Sequence, residues 1–298
     1  MSAVSAGALW RPRRVLYLGT PEMAVAPLEA LVGAGFDVVG AVTRADKRRG
    51  RGGEPTPSAV KRAAVSLGID VVHSVDEGID LATKRDAEVG VVVAFGQLVK
   101  PQALAALPMV NLHFSLLPRW RGAAPVERAL LAGDVETGVS LMRLDEGLDT
   151  GPVYARIETP IGASDTGGSL RDRLVALGTE LLVRELSSGL GEPTQQVGEH
   201  TYASKLSALD LKLDWSRSAI ERDRLIRLGG AWTTLRGKRL KVLHAELVDP
   251  DARGNVLVDD LVGGLRLSLV QPEGKPAMAF MAFANGARLA RGEELGTD

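Results

Sequence analysis

The sequence predicts an α/β protein, with a mostly parallel, doubly covered sheet first and a smaller β-barrel after it. Three observations carry that prediction. Through Ser187, short and almost wholly apolar runs alternate with stretches of helical spacing, the pattern of strands buried on both faces by crossover helices. Beyond a Gly/Pro/polar stretch, short β-rich segments follow one another between glycine turns. The chain has 298 residues, about two ordinary domains.

The elements follow in order. VLYL (Val15–Leu18) reads as a buried strand, then Pro21 opens a helix over Met23–Val32 that Gly33 and Gly35 close. Asp37–Thr43 is the second strand, Val60–Ser66 a helix, Asp70–His73 a short strand, and Val89–Phe95 the most apolar strand. Val110–Phe114 is a further strand, Pro125–Ala132 a helix, and Gly138–Leu144 and Pro152–Ile157 two more strands. Leu170, Leu174, Leu177, Leu181 and Leu182 recur at helical spacing, so a helix over Ser169–Ser187 closes the domain. The polar stretch that follows reads as a linker. These boundaries give a first domain over 1–189, a linker over 190–208 and a second domain over 209–298. The second holds a helix over Ser218–Leu228 and strands at Leu240–Leu247, Asn255–Val258, Leu265–Leu269 and Met278–Phe283.

Composition narrows the function. Hydrophobic residues make up 45% and charged residues 24%, as in a globular protein. There is no cysteine, which removes disulfides, thiolate metal sites and thiol nucleophiles; with four histidines, a metal centre is not expected. No apolar run approaches the ~20 residues of a membrane span, and basic residues follow the first apolar stretch, the reverse of a secretory signal. A cytoplasmic enzyme or binding protein is expected. GxGxxG, GK[ST], GxSxG and HExxH are all missing.

Lys plus Arg total 36 against 37 Asp plus Glu, so the chain is near neutral, yet the cations cluster. Arg44–Arg62 holds seven basic and two acidic residues; Lys205–Lys241 holds ten and four. Either cluster suits an ordinary solvated surface or a localised contact with a polyanion. The RRGRG run has little to bury and is expected to be mobile within the loop Arg44–Pro57.

The chemistry concentrates in two segments. In VNLHFSLLPRWRGAAPVERAL (Val110–Leu130), Asn111 and His113 are two apart on a strand and share a face, while Leu112 points away. An amide and an imidazole on a core-like strand are costly to bury unpaired. A satisfied structural pair is the ordinary reading of such a histidine. However, this strand runs into a rigid basic turn (Arg119–Gly122), at the kind of strand end where α/β sheets bind ligands. In LMRLDEGLDTGPVYA (Leu141–Ala155), Asp149 sits in a Gly-Leu-Asp-Thr-Gly turn, where an Asp ordinarily bonds its own backbone. Together, Asn111 and His113 can stabilise an oxyanion, and Asp149 can set the charge of the histidine or accept a proton. That set suits acyl transfer to an amine without a covalent intermediate. Ser115, two beyond His113, lacks a nucleophile motif.

GTPEMAVAPLEAL, AFGQLVKP (Ala94–Pro101), NLHFSLLPRWRGAAPVERAL, DEGLDTGPVY and TYASKLSALDLKLDWSRSA (Thr201–Ala219) together resemble the methionyl-tRNA formyltransferase family, within the 10-formyltetrahydrofolate-dependent formyltransferases. The Asn-x-His and SLLPxxRG elements point to the superfamily; the basic TRADKRRGRGGEPTPSAVK segment points to the tRNA enzymes. The resemblance implies a Rossmann-like N-terminal domain and an OB-like C-terminal barrel. It implies that Asn111, His113 and Asp149 are catalytic. Phe95, Gly96, Gln97, Leu98, Ser115, Leu116, Leu117, Pro118, Leu144 and Glu146 would line the site of the formyl donor, 10-formyltetrahydrofolate. Arg44, Lys47, Arg48, Arg49 and Arg51, with Lys238, Arg239 and Lys241, would hold initiator methionyl-tRNA. No metal, membrane or obligate protein partner is implied. Gly229–Thr233 stands where the family pattern has a proline-containing loop. The rival readings are an amino-sugar formyltransferase, which needs no basic loop, and a folate- or tRNA-binding protein without catalysis.

Overall fold

The structure is a computed structural model and describes residues 9–48 and 54–297. The chain divides into two compact units. One comprises residues 1–125, 136–160 and 171–204; the other comprises 126–135, 161–170 and 205–298.

In the first unit, β1 (Arg14–Gly19) leads through a one-turn 3-10 helix into α1 (Val25–Gly33) and then β2 (Asp37–Val42). Next come a two-residue ladder of β3 (Lys47–Arg48) with β4 (Pro55–Thr56), α2 (Ala59–Ser66) and β5 (Val71–Val72). They are followed by α3 (Val75–Lys84), β6 (Val89–Val93), α4 (Pro101–Ala106), β7 (Met109–His113) and β8 (Arg121–Gly122). After α5 (Pro125–Ala132), whose residues past Pro125 belong to the second unit, come β9 (Glu136–Arg143) and β10 (Val153–Pro160). The long α6 (Gly167–Ser188) follows, and β11 (Tyr202–Ala203) pairs in parallel with β8.

The seven-stranded sheet has the order β10-β9-β7-β6-β1-β2-β5. From β7 to β5 every pairing is parallel, and β9 and β10 add an antiparallel edge. The parallel strands are nearly all buried because helices cover both faces. On one face, Val75 and Ala82 of α3 and Ala103 of α4 pack with Leu16, Leu18, Val42, Val92 and Met109. Gly78 makes that approach possible: a Cβ there would lie 2.5 Å from Val42 Cγ2. On the other face, Gly178 of α6 brings the helix backbone against Leu112 and Val139.

The sequence reading passed over α3 and α4. Ser74 caps α3 reciprocally with Glu77, a capping box written in SVDE. The stretch read as a linker over 190–208 is, through Ser204, part of the first unit. Leu190 pairs with Trp10 and Thr194 with Val153, and Tyr202–Ala203 is β11. Backbone hydrogen bonding, invisible in a polar composition, holds it there.

The second unit contains α7 (Ala219–Leu228), β12 (Trp232–Leu235), β13 (Lys238–Leu247), β14 (Leu257–Val258), β15 (Leu261–Val262), β16 (Leu265–Pro272), β17 (Met278–Ala279) and α8 (Phe280–Ala287). All its ladders are antiparallel, in the order β12-β13-β16-β15-β14, with β17 on β16. One expected strand is corrected: Met278–Phe283 is strand for only its first two residues. Phe280 then enters the core, and Phe283 and Ala284 pack beside it at helical spacing, so the Ala-rich run completes α8. Among the described residues, no helix is long and apolar enough to cross a membrane.

Candidate active site

Strand β7 lies inside the sheet, and all five of its residues are buried. Its register pairs Asn111 with Val92 and Met142, and His113 with Ser140. Asn111 and His113 therefore share the face of Val92, whereas Leu112 meets α6. At 8% and 5% exposure the two polar side chains need partners, and both find the same one.

That partner is Asp149, in left-handed backbone at φ 51°. Asn111 Nδ2 donates to Asp149 Oδ1 at 3.3 Å, and His113 Nδ1 lies 3.6 Å from Asp149 Oδ2. The backbone N–H of Gly122 donates to the same Oδ2 at 2.8 Å. His113 Nε2 is 2.9 Å from the carbonyl oxygen of Trp120. A carbonyl only accepts, so Nε2 carries the hydrogen of that bond and Nδ1 faces the carboxylate.

The turn between β7 and β8 holds these donors in place. The Ser115 hydroxyl donates to the Arg119 carbonyl at 2.6 Å, which makes it a brace and leaves the nucleophile reading without support. The Ser140 hydroxyl donates to Ser115 O at 2.7 Å and accepts from Leu117 N at 3.2 Å. Trp120, also left-handed at φ 63°, donates its N–H to the Thr201 hydroxyl at 2.9 Å. Arg119 stacks on the Trp120 ring, 4.5 Å from its centroid.

The residues expected around a formyl donor fall into three groups. Phe95–Leu98 and Ser115–Pro118 leave parallel neighbours, β6 and β7, at the same edge of the sheet. Phe95 is buried in the cluster of Val92 and Met109; Gly96 has φ 74°, and Leu98 is 81% exposed. Gln97 Nε2 reaches His73 O at 3.4 Å. Ser115 and Leu117 are buried, and Leu116 and Pro118 are half-buried. Leu144 lies elsewhere, because β9 runs antiparallel to β7: its N–H bonds Met109 O at the start of β7, and its side chain packs on the Phe95 cluster. Glu146 is exposed in the loop that carries the chain back to Asp149.

The cationic candidates are surface groups. Arg44, Lys47 and Arg48 are exposed, with Asp46 paired to Lys61 at 2.9 Å behind them. Arg49 and Arg51, and with them the core of the loop expected to be mobile, lie outside the described residues. In the second unit Lys238 is exposed and Lys241 half-buried, and the Arg239 guanidinium sits 4.2 Å from the Trp232 ring centroid.

Sequence reasoning missed the Trp120 carbonyl, the Gly122 N–H and Gln196, whose amide bonds the backbone of Asp149. Main-chain groups leave no mark in composition, and Gln196 lies in the stretch read as linker. A cavity of about 340 Å³, bounded by Trp10, Arg143, Tyr154 and Leu190–Pro193, is lined by none of the Asn111 set. Burial raises the Tyr154 phenol there above its ordinary pKa.

A sheet with an antiparallel edge, polar groups at the end of a central strand and a separate antiparallel unit match one family. The formyl transferase model matches residues 13–186, and the model of the formyl transferase C-terminal domain matches residues 205–288. The chain belongs to the formyl transferase family. Within it, the chain is 42% identical over 303 positions to the methionyl-tRNA formyltransferase of Novosphingobium aromaticivorans, covering 95% of this chain and 100% of that one. It is 44% identical to that of a Jannaschia species, covering 95% and 99%. Among solved structures it resembles the sugar 3N-formyl transferase WlaRD with a TM-score of 0.64 at 17% identity, over 91% of this chain and all of that one. It also resembles HypX from Aquifex aeolicus in complex with tetrahydrofolic acid, with a TM-score of 0.61 at 14% identity, over 95% of this chain and 49% of that one. These two likenesses are of fold.

Proposed function

We propose that this enzyme transfers the formyl group of 10-formyltetrahydrofolate to the α-amine of initiator methionyl-tRNA, in the cytoplasm. One observation carries the chemistry: Asn111 and His113 both face Asp149 at the end of a buried strand.

In the reaction, the amine forms a bond to the formyl carbon and the carbonyl electrons move onto oxygen. Collapse then breaks the bond to N10 of the folate; the amine gives up one proton and N10 gains one. An amide NH2 carries two hydrogens. Asn111 commits one to Asp149 and presents the other to the developing oxyanion, an interaction that strengthens in the transition state. Asp149 accepts the proton of the amine, directly or through a water. His113, held by its Nε2–H on the Trp120 carbonyl, packs its ring beside the Asp149 carboxylate and helps to position it. To reach the oxyanion itself, His113 must exchange the Trp120 carbonyl for substrate, because that carbonyl holds its Nε2–H.

The folate lies along Phe95–Leu98 and Ser115–Pro118, with Glu146 bordering it; Leu144, beside the start of β7, falls outside that end of the sheet. Arg44, Lys47, Arg48, Arg49 and Arg51 grip the acceptor arm, and Lys238, Arg239 and Lys241 meet phosphates. Contacts of that kind supply affinity and salt dependence more than sequence readout. No obligate protein partner is needed. Catalysis belongs to the N-terminal domain, extended through the stretch 190–204 that packs with it, and tRNA holding to an OB-like domain over 209–298.

The test is formyl transfer from 10-formyltetrahydrofolate to charged initiator tRNA, with charged elongator tRNA and a nucleotide-linked amino sugar in parallel. Formylation confined to the initiator is expected. Formylation of the sugar in its place would overturn the substrate, and no transfer to any acceptor would overturn the reaction.

A further inference from the structure

We propose that Gln196 is a positioning residue for formyl transfer, setting the Asp149 carboxylate from the stretch whose composition reads as a linker. The inference rests on the formyl-transfer reading and adds to it how the proton acceptor is held.

The geometry is a closed circuit. Gln196 Nε2 donates to the backbone carbonyls of Asp149 and Gly151, each at 2.8 Å. Its Oε1 accepts from Arg121 Nε at 3.1 Å and from the Arg121 terminal nitrogen at 2.7 Å. The residue after Arg121 is Gly122, whose N–H donates to Asp149 Oδ2. One amide therefore joins the main chain of the Asp149 turn to the segment that holds the Asp149 side chain. Every hydrogen-bonding group of that amide is engaged, with two donors and one doubly used acceptor.

The circuit has something to resist. Asp149 is in left-handed backbone, which a non-glycine residue keeps only where its surroundings fix it. Leu148 beside it is 60% exposed and Gly147 is exposed, so on that side the turn is held chiefly by Asp145 Oδ1, which accepts from Gly147 N–H at 3.1 Å and from the Thr150 hydroxyl at 2.7 Å. The far end of the circuit is anchored in turn. Arg121 N–H donates to Thr201 O at 2.8 Å, and Thr194 exchanges two 2.8 Å backbone bonds with Val153. With Gln196 in place, both carboxylate oxygens stay aimed at Asn111, His113 and Gly122. Without it the turn relaxes, and a misplacement of ~1 Å in a reacting group costs on the order of 100-fold in rate.

The experiment measures kcat and KM for both substrates in Gln196→Glu and Gln196→Leu, with the exposed neighbour Gln195→Ala as control. Glu keeps an acceptor for Arg121 but cannot donate to the two carbonyls; Leu removes both functions without adding charge. The expected result is a loss of about 10- to 100-fold in kcat for both variants, with each KM within about threefold of wild type. The melting temperature should shift by no more than a few degrees, and Gln195→Ala should match wild type. In an Asp149→Asn background the Gln196 substitutions should cost less than about twofold more, since their effect runs through Asp149. An unchanged kcat, a full additional loss in that background, or a loss that follows melting temperature would overturn the proposal. The carbon-13 resonance of the Asp149 carboxylate gives a readout without turnover: it should move in Gln196→Leu and stay in Gln195→Ala. A moved resonance in a protein that transfers no formyl group would sink the functional reading and leave the positioning role standing. An unmoved resonance would overturn the positioning role itself.

Discussion

Asp149 in the first unit and Asp223 in the second are both nearly buried carboxylates with a cationic or basic neighbour, and their settings could hardly differ more. Asp223 accepts from Arg227 Nε at 2.7 Å, one turn along the same helix, and Arg227 goes on to the Asp165 carbonyl at 2.6 Å. The residue before Asp223, Arg222, is 1% exposed, gives its guanidinium to the carbonyls of Ser218, Ala252, Gly254 and Gly263, and stacks on Trp215. Those charges are engaged by charge-assisted bonds, to a carboxylate one turn away and to main-chain carbonyls, and they hold structure. Asp149 is served by an amide, a backbone N–H and an imidazole at 3.6 Å, from sequence-distant parts of the chain meeting at a strand end. None of these three neighbours is an arginine or a lysine. The contrast separates a carboxylate tied into the structure from one to which the proposed mechanism gives the chemistry.

Four substitutions sharpen or break that contrast, in order of decreasing effect. Asn111→Ala should lower kcat by about 100- to 1000-fold, the usual cost of one oxyanion donor, with little change in melting temperature. Loss of activity together with folate binding would instead make Asn111 a binding residue. Arg222→Met should destabilise the protein by about 2–4 kcal/mol in a denaturant titration, because it strands buried carbonyls. A neutral result would show that the interior of the second unit tolerates losing that charge. Asp223→Asn should cost about 1–3 kcal/mol of stability and leave kcat alone, since it leaves Arg227 without its carboxylate. A large fall in kcat would erase the distinction drawn here. The smallest effect concerns pH. Hydrogen bonds from the His73 backbone and from Ser74 hold Glu77 below the ordinary carboxylate pKa. Those from the backbones of Arg13 and Arg14 do the same for Glu88. A depressed folded pKa contributes stability that is present above the unfolded value, about 4.3, and lost as pH falls through the folded one. Melting temperature should therefore decline on acidification below about pH 4.5, and less steeply in Glu77→Gln; identical slopes would show that the capping box contributes nothing.

The sequence told most about the residues that follow a period. The apolar runs of β1, β2, β6 and β7 and the leucine spacing of α6 are legible because burial on both faces demands them. Asn111 and His113 stood out for the same reason, as polar intrusions in such a run. The role of 190–204 was illegible because its order comes from hydrogen bonds to distant backbone, which no local pattern records. Phe280–Ala287 misled because an Ala/Phe/Met run satisfies strand and helix alike until one ring, Phe280, finds the core.

The most direct test of the account is single-turnover formyl transfer by Asp149→Asn, with folate and tRNA binding measured on the same protein. Asparagine keeps the shape and loses the charge and the capacity to accept a proton. The account predicts a rate at least 100-fold below wild type on the scale of a lost acid–base group, with both affinities retained. A rate near wild type, or a loss matched by failure to bind either substrate, would contradict the assignment of Asp149 to the chemical step.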